Sequence, residues 1–304
     1  MQTITVSEAG FHGIFHSPKQ TEHHHLAVIV LGGSEGNENI PINVGRLFAD
    51  RGIFAMGVCY WNVPGLPNDL IRVPIDPIEN VIAWLEDRNF SEIYIYGISE
   101  GAKLALLCAA HMTKIRGVIA LSPMHCLFSG MKVGKGLLGK SFVDCAEFTY
   151  RGKDLPYIKV KLTYGKALKN LILERQINLS YIYENALVEN ALVQDVSPAE
   201  IPVENIQGDI LLIYAEDDLM WPSARAVKSI VQRLKQHNFP NKVTAISYKK
   251  ASHILIPLSP LQLKMFKIER QEPVACLRSR SDGFEQTINW LLNKESRSTV
   301  NISR

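Results

Sequence analysis

Five apolar runs recur along the chain at the spacing of strand–helix units: LAVIVL (26–31), IFAMGV (53–58), IYIYG (93–97), GVIALSP (117–123) and DILLIYAEDD (209–218). A strand with one wet face would alternate polar and apolar residues. A continuous run fits a strand covered on both faces, as in a parallel sheet. Helical patterns fill the intervals, at 42–51, 100–111 and 223–236. The clearest is 76–88, with Pro77 in its first turn and apolar residues at Ile78, Val81, Ile82 and Leu85. A further strand, VTAISY (243–248), and a closing helix at 284–292 end the pattern, and TITVSEAGFHGIF (3–15) reads as a β-hairpin. This alternation predicts an α/β fold with a mostly parallel central sheet and helices on both faces.

Residues 124–202 break the rhythm. That stretch is too long for an ordinary loop, so it is expected to carry structure of its own, with helices near 166–174 and 181–192. We read 1–304 as a single domain in which 124–202 is a cap-like or lid-like insertion. Between 124 and 183 it holds ten Lys/Arg against four Asp/Glu. That excess fits either a solvated surface or a basic lid over an anionic substrate.

Composition removes several classes. Lys+Arg of 33 against Asp+Glu of 30 leaves a net charge of +3, with no electrostatic case for nucleic acid or an anionic membrane as the main partner. No apolar run approaches the ~20 residues of a membrane span, and MQTITVSEAG carries no secretory pattern. The five cysteines, at 59, 108, 126, 145 and 276, form no C-x-x-C pair. They are expected to be reduced, buried thiols in a cytoplasmic protein, and no Cys/His cluster has metal-ligand spacing. The run His23–His25 reads as an exposed turn.

The chemistry concentrates at Gly97-Ile98-Ser99-Glu100-Gly101. The pattern G-x-S-x-G is weak alone, but here it follows an apolar strand and opens a helix, the setting of a nucleophile elbow. A turn this sharp leaves no room for side chains two before and two after the nucleophile, which is why glycine stands at both places. Ser99 is expected at the C-terminal edge of the sheet above a helix N-terminus, where negative charge is favoured. The hydroxyl needs a base and an acid behind it, in the chain order Ser, acid, His. His253, just after VTAISY, lies at the correct edge, whereas His237 ends a helix at the opposite edge. Asp218 is the expected acid, a few residues before Trp-Pro, with Asp217 the alternative. Oxyanion donors are expected from the Glu100 N–H and from Gly33 or Ser34 in the turn GGSEG. The Glu100 side chain is expected to face solvent at the helix N-terminus.

LGGSEG (31–36), YGISEGAKLALLCAA (96–110), IYAEDDLMWPSA (213–224), SHILIP (252–257) and SDGFEQTINWLL (281–292) together resemble the C-terminal hydrolase domain of the acyl-CoA thioesterase / bile acid-CoA:amino acid N-acyltransferase family, within the α/β-hydrolase superfamily. The resemblance implies a Ser or Cys nucleophile with Asp and His, here Ser99, Asp218 and His253. It also implies that serine at the elbow goes with hydrolysis, since the amino-acid transferases tend to carry cysteine there. Only 25 residues precede the first long strand, so the N-terminal β-sandwich of longer members is not expected. The expected function is a cofactor-free serine acyl hydrolase using a Ser-His-Asp triad on a small acyl thioester. The alternatives are a carboxylesterase or dienelactone-hydrolase-like enzyme, and a non-catalytic binding protein on the same scaffold. Homo-oligomerisation is left open.

Overall fold

A computed structural model describes residues 1–134, 140–162, 175–257 and 263–293, with the isolated positions 165, 169 and 172. The expected helix at 166–174 therefore lies outside the described residues except for positions 169 and 172.

The central sheet has eight strands. In chain order they are β1 (Gln2–Ile4), β2 (His12–His16), β3 (Leu26–Leu31), β4 (Phe54–Cys59), β6 (Glu92–Ile98), β7 (Ile115–Leu121), β12 (Asp209–Ala215) and β13 (Val243–Tyr248). Outside it lie β5 (Val73–Pro74), β8 (Ser129–Val133), β9 (Lys140–Ala146), β10 (Phe148–Tyr150) and β11 (Lys153–Asp154). The spatial order is β1-β2-β4-β3-β6-β7-β12-β13. The six strands from β4 to β13 run parallel, and β1 and β2 add an antiparallel edge. The expected mostly parallel sheet is thus observed. The 3–15 hairpin is modified, because a one-turn helix, Val6–Ala9, joins its strands in place of a tight turn.

Alternation along each strand feeds two cores. Ile29, Leu31 and Ile95 pack on one face with Ile78, Val81 and Leu85 of the helix Pro77–Glu86. The helices Glu100–His111 and Ser223–Gln236 complete that layer. Val28, Val30, Tyr94 and Tyr96 pack on the other face against Phe48 of the helix Asn39–Ala49 and Phe284 and Leu291 of the helix Pro273–Leu292. This last helix begins at Pro273, not near Phe284 as expected. Its buried positions in the first half are Cys276 and Arg280, so no apolar stripe announces it.

The strand order reverses direction between β3 and β6, since β4 lies on one side of β3 and β6 and β7 follow on the other. Such a switch point opens a crevice at the C-terminal ends of the strands.

The stretch 124–202 contains β8 to β11 and the helix Ser180–Ala191. The helix matches the expected one at 181–192, and the strands were not foreseen. Phe128, Ile158, Tyr181 and Ile182 form a third apolar cluster that includes Trp221. Among the described residues no helix is long and apolar enough to cross a membrane. Cys59, Cys108, Cys126 and Cys276 are buried free thiols, whereas Cys145, expected to be buried, is only partly so. Burial pushes the Cys59 thiol up to about 12 and that of Cys276 to about 11, which suppresses thiolate chemistry at both.

Candidate active site

Ser99 lies between β6 and the helix Glu100–His111 with φ 56° and ψ −120°. A non-glycine residue seldom holds this conformation, which costs about 1–3 kcal/mol where surroundings enforce it. The neighbours do enforce it. A Cβ on Gly97 would stand 2.1 Å from the Gly101 carbonyl oxygen, and one on Gly101 would stand 2.1 Å from that of Gly32. The Ser99 N–H donates to the Leu121 carbonyl at 2.9 Å, and the Ser99 carbonyl accepts from Ala102 N at 3.0 Å and Lys103 N at 3.1 Å. The side chain is left at the sheet edge, partly exposed.

The loop after β13 brings His253 to it, and Ser99 Oγ and His253 Nε2 are 2.7 Å apart. On the far side His253 Nδ1 lies 2.7 Å from Asp218 Oδ2. Both His253 and Asp218 are buried. The Asp218 carboxylate is held by two further donors, Met220 N to Oδ1 at 2.9 Å and the Ser223 hydroxyl to Oδ2. Asp217 is exposed, so of the two candidate acids the structure brings Asp218 to the imidazole. His237 is exposed and caps the helix Ser223–Gln236, away from this group.

The GGSEG turn meets the elbow at the switch point. A Cβ on Gly33 would stand 3.3 Å from Ser99 Cβ, so the glycine permits the close approach. Ser34, Ser99, Glu100 and His253 line one cleft together with Met131, Phe142, Ile182 and Tyr183 from the 124–202 stretch. The three sites expected to supply oxyanion donors, Gly33, Ser34 and Glu100, are therefore gathered beside the hydroxyl. Among the described residues no three His, Cys, Asp or Glu side chains group as a metal-ligand set.

One expectation fails at Glu100. Its side chain does not face solvent but is 5% exposed and paired with Lys103, one helical turn on. Lys103 in turn donates to Glu147 Oε2 at 2.6 Å. Burial works to lower the Lys103 pKa, but the Glu100 and Glu147 carboxylates outweigh it and hold the ammonium charged. Burial and the nearby Glu100 push the Glu147 carboxyl well above the usual range.

Other supports gave little sequence signal, because their partners are remote in the chain. Ser122 Oγ donates to the His253 carbonyl at 2.6 Å, and Trp221 Nε1 donates to the Ser122 carbonyl at 2.8 Å. The Trp221 ring meets the imidazole edge-on, with centroids 5.5 Å apart. Ser252 Oγ donates to Glu269 Oε1 at 2.7 Å, and that carboxylate is paired with the fully buried Arg280. The pair ties the His253 loop to the last helix. Replacing Glu269 by Ala strands a buried guanidinium, and a loss of about 3–5 kcal/mol is expected. Urea denaturation measures it, and an unchanged midpoint would mean that the pair anchors nothing.

A family model described as BAAT / Acyl-CoA thioester hydrolase C terminal matches residues 73–275. The chain belongs to this family. The matched region includes the elbow, Asp218 and His253 and leaves the GGSEG turn outside it. Within the BAAT / acyl-CoA thioester hydrolase family, the chain is 21% identical over 215 residues to the mouse peroxisomal succinyl-coenzyme A thioesterase, covering 69% of this chain and 45% of that protein. It is 22% identical over 261 residues to the mouse bile acid-CoA:amino acid N-acyltransferase, covering 84% and 55%. The chain thus spans about half the length of these relatives. Solved structures share the fold. The acylaminoacyl peptidase of Pyrococcus horikoshii matches with TM-score 0.54 at 11% identity, over 96% of this chain and 41% of that one. A dienelactone hydrolase-like promiscuous phosphotriesterase from metagenomic libraries matches with TM-score 0.54 at 11% identity, over 95% of each chain. The family member described here has the α/β-hydrolase fold.

Proposed function

We propose that this chain is a serine acyl hydrolase acting on acyl thioesters, with Ser99 as nucleophile, His253 as base and Asp218 as orienting acid. The observation that carries the reading is the unbroken hydrogen-bonded chain Ser99–His253–Asp218, with both links at 2.7 Å. Nucleophile, base and orienter in this geometry are what acyl transfer needs.

Ser99 Oγ attacks the carbonyl carbon while its proton passes to His253 Nε2. Asp218 accepts from Nδ1–H, holds the tautomer and stabilises the imidazolium. The carbonyl oxygen gathers negative charge facing the N–H of Glu100 and that of Gly33 or Ser34. The carbon–sulfur bond breaks, and the leaving thiolate takes the proton from Nε2. Water then attacks the acyl-serine, gives a proton to His253 and releases the acid as Ser99 recovers its hydrogen. The apolar side chains that line the cleft support an acyl chain as the held part of the substrate. We further propose that 124–202 acts as a cap over the cleft and that the protein works in the cytoplasm, a reading supported by its free thiols; curated relatives include peroxisomal and mitochondrial proteins.

A fluorophosphonate probe is expected to label Ser99, and an acyl-CoA panel is expected to release free CoA. Labelling with ester turnover but no CoA release would replace the thioesterase by a carboxylesterase. No labelling at all would favour a binding protein on this scaffold.

A further inference from the structure

The mechanism uses the backbone N–H of Glu100 and leaves three buried ionisable side chains unexplained. Glu100, Lys103 and Glu147 are 5%, 2% and 3% exposed. Burying such a cluster seldom adds stability over apolar residues of the same volume, because each ion loses its water. Its value must lie in what it holds in place. Lys103 sits one turn beyond Glu100, and its side chain runs back along the helix toward Ser99. Its ammonium bridges the Glu100 carboxylate on the elbow and that of Glu147 in the 124–202 stretch. Glu147 is itself pinned, since its carbonyl accepts from Val73 N at 2.8 Å.

The surroundings tie this ammonium to the rest of the site. Phe128, Phe148 and Trp221 each hold a ring centroid 5.7 Å from Lys103 Nζ, a cation–π cage. Trp221 is the ring that meets His253. On the other side, the buried Tyr60 hydroxyl donates to the carbonyls of Gly32 and Gly33 at 3.0 and 2.9 Å, fixing the second oxyanion turn. Electrostatic contact with Glu100 and Glu147 reaches that same hydroxyl.

Resting on the serine-hydrolase reading above, we infer that Lys103 is a positioning residue for the oxyanion hole: by bridging Glu100 and Glu147 inside the Phe128–Phe148–Trp221 cage, it fixes the elbow N–H against Ser99 and locks the insertion to the nucleophile. Lys103 touches no substrate in this scheme. It acts through Glu100 and Trp221.

The test uses Lys103→Met and Glu147→Ala in the full chain, with Glu147→Gln as the conservative variant that keeps an acceptor for Lys103. Losing a single oxyanion donor costs roughly 100- to 1000-fold in turnover, so its misplacement is expected to lower kcat about 10- to 100-fold. KM should stay within about threefold, since the interaction is made chiefly in the transition state. Glu147→Gln should lose less than about threefold. The fluorophosphonate labelling rate should fall in parallel with kcat. Amide hydrogen exchange over residues 99–102 should quicken at least about tenfold in Lys103→Met, while exchange in β3 and β7 stays slow. Folded variants with unaltered kcat and unaltered exchange at 99–102 would overturn the inference. If the unsubstituted protein neither labels nor turns over, the hydrolase reading fails, and the exchange arm still decides whether Lys103 holds the elbow. Should Lys103→Met not fold, the Glu147→Ala and Glu147→Gln pair carries the same comparison.

Discussion

Replacing Ser99 by Ala is expected to lower kcat by on the order of 10⁴–10⁶-fold while leaving the unfolding transition in place. The physical reason is that the proposed acyl transfer has one nucleophile. In that scheme its proton passes across the 2.7 Å link to His253 Nε2. Removing Oγ leaves the oxyanion donors and the cleft, which sustain only the residual rate that positioning supplies. A companion substitution separates chemistry from strain. Ser99→Gly also removes the hydroxyl, but it relieves a residue held at φ 56°. It should be inactive and more stable by about 1 kcal/mol. Steady-state CoA release and a thermal scan on both variants make the comparison. If Ser99→Ala keeps more than about a hundredth of the parent rate, another group is the nucleophile.

Gly101→Ala should be strongly destabilising for a single added methyl group. Its Cβ would stand 2.1 Å from the Gly32 carbonyl oxygen and 2.8 Å from that of Leu31. Both obstacles are backbone at the end of β3, so neither can rotate away. Overpacking of this kind costs about 3 kcal/mol or more, which means a Tm lower by roughly 10 °C or loss of soluble protein. The contrast is Gly152, with φ +72° and nothing within 4 Å of a built Cβ. Ala there meets only backbone strain of about 1–2 kcal/mol. Equal Tm losses at the two positions would mean that the contact between the elbow and the first turn is not as close as described. The Gly101 variant should also lose activity, because the same clash parts the two turns that carry the proposed oxyanion donors.

Much of this architecture was readable in the chain because its signals are local. LAVIVL and VTAISY matched their strands residue for residue, the first as a continuous apolar run and the second as a segment rich in β-branched and aromatic residues. The helix Glu100–His111 began at the residue after the motif's serine. Signals failed where burial depended on a remote partner. The start of the last helix was missed because its buried side chains there are Cys276 and Arg280, the latter paired with Glu269 in another element. Glu100 was expected in solvent because nothing near it announces Glu147. The choice between Asp217 and Asp218 was open because two adjacent carboxylates have the same local pattern. Only the path of the Asp218–Ser223 loop presents one of them to His253.

The alternation of strands and helices, the sharpness of the elbow and the residue types gathered there were set by the chain itself, since periodicity and the steric freedom of glycine act within a few residues. Tertiary structure alone decided which carboxylate meets the imidazole, that a lysine and two glutamates lie buried together at the elbow helix, and that side chains of 124–202 line the cleft. Those outcomes depend on electrostatic pairing and desolvation between segments far apart in sequence. Such energies do not exist until the chain has folded and water has left.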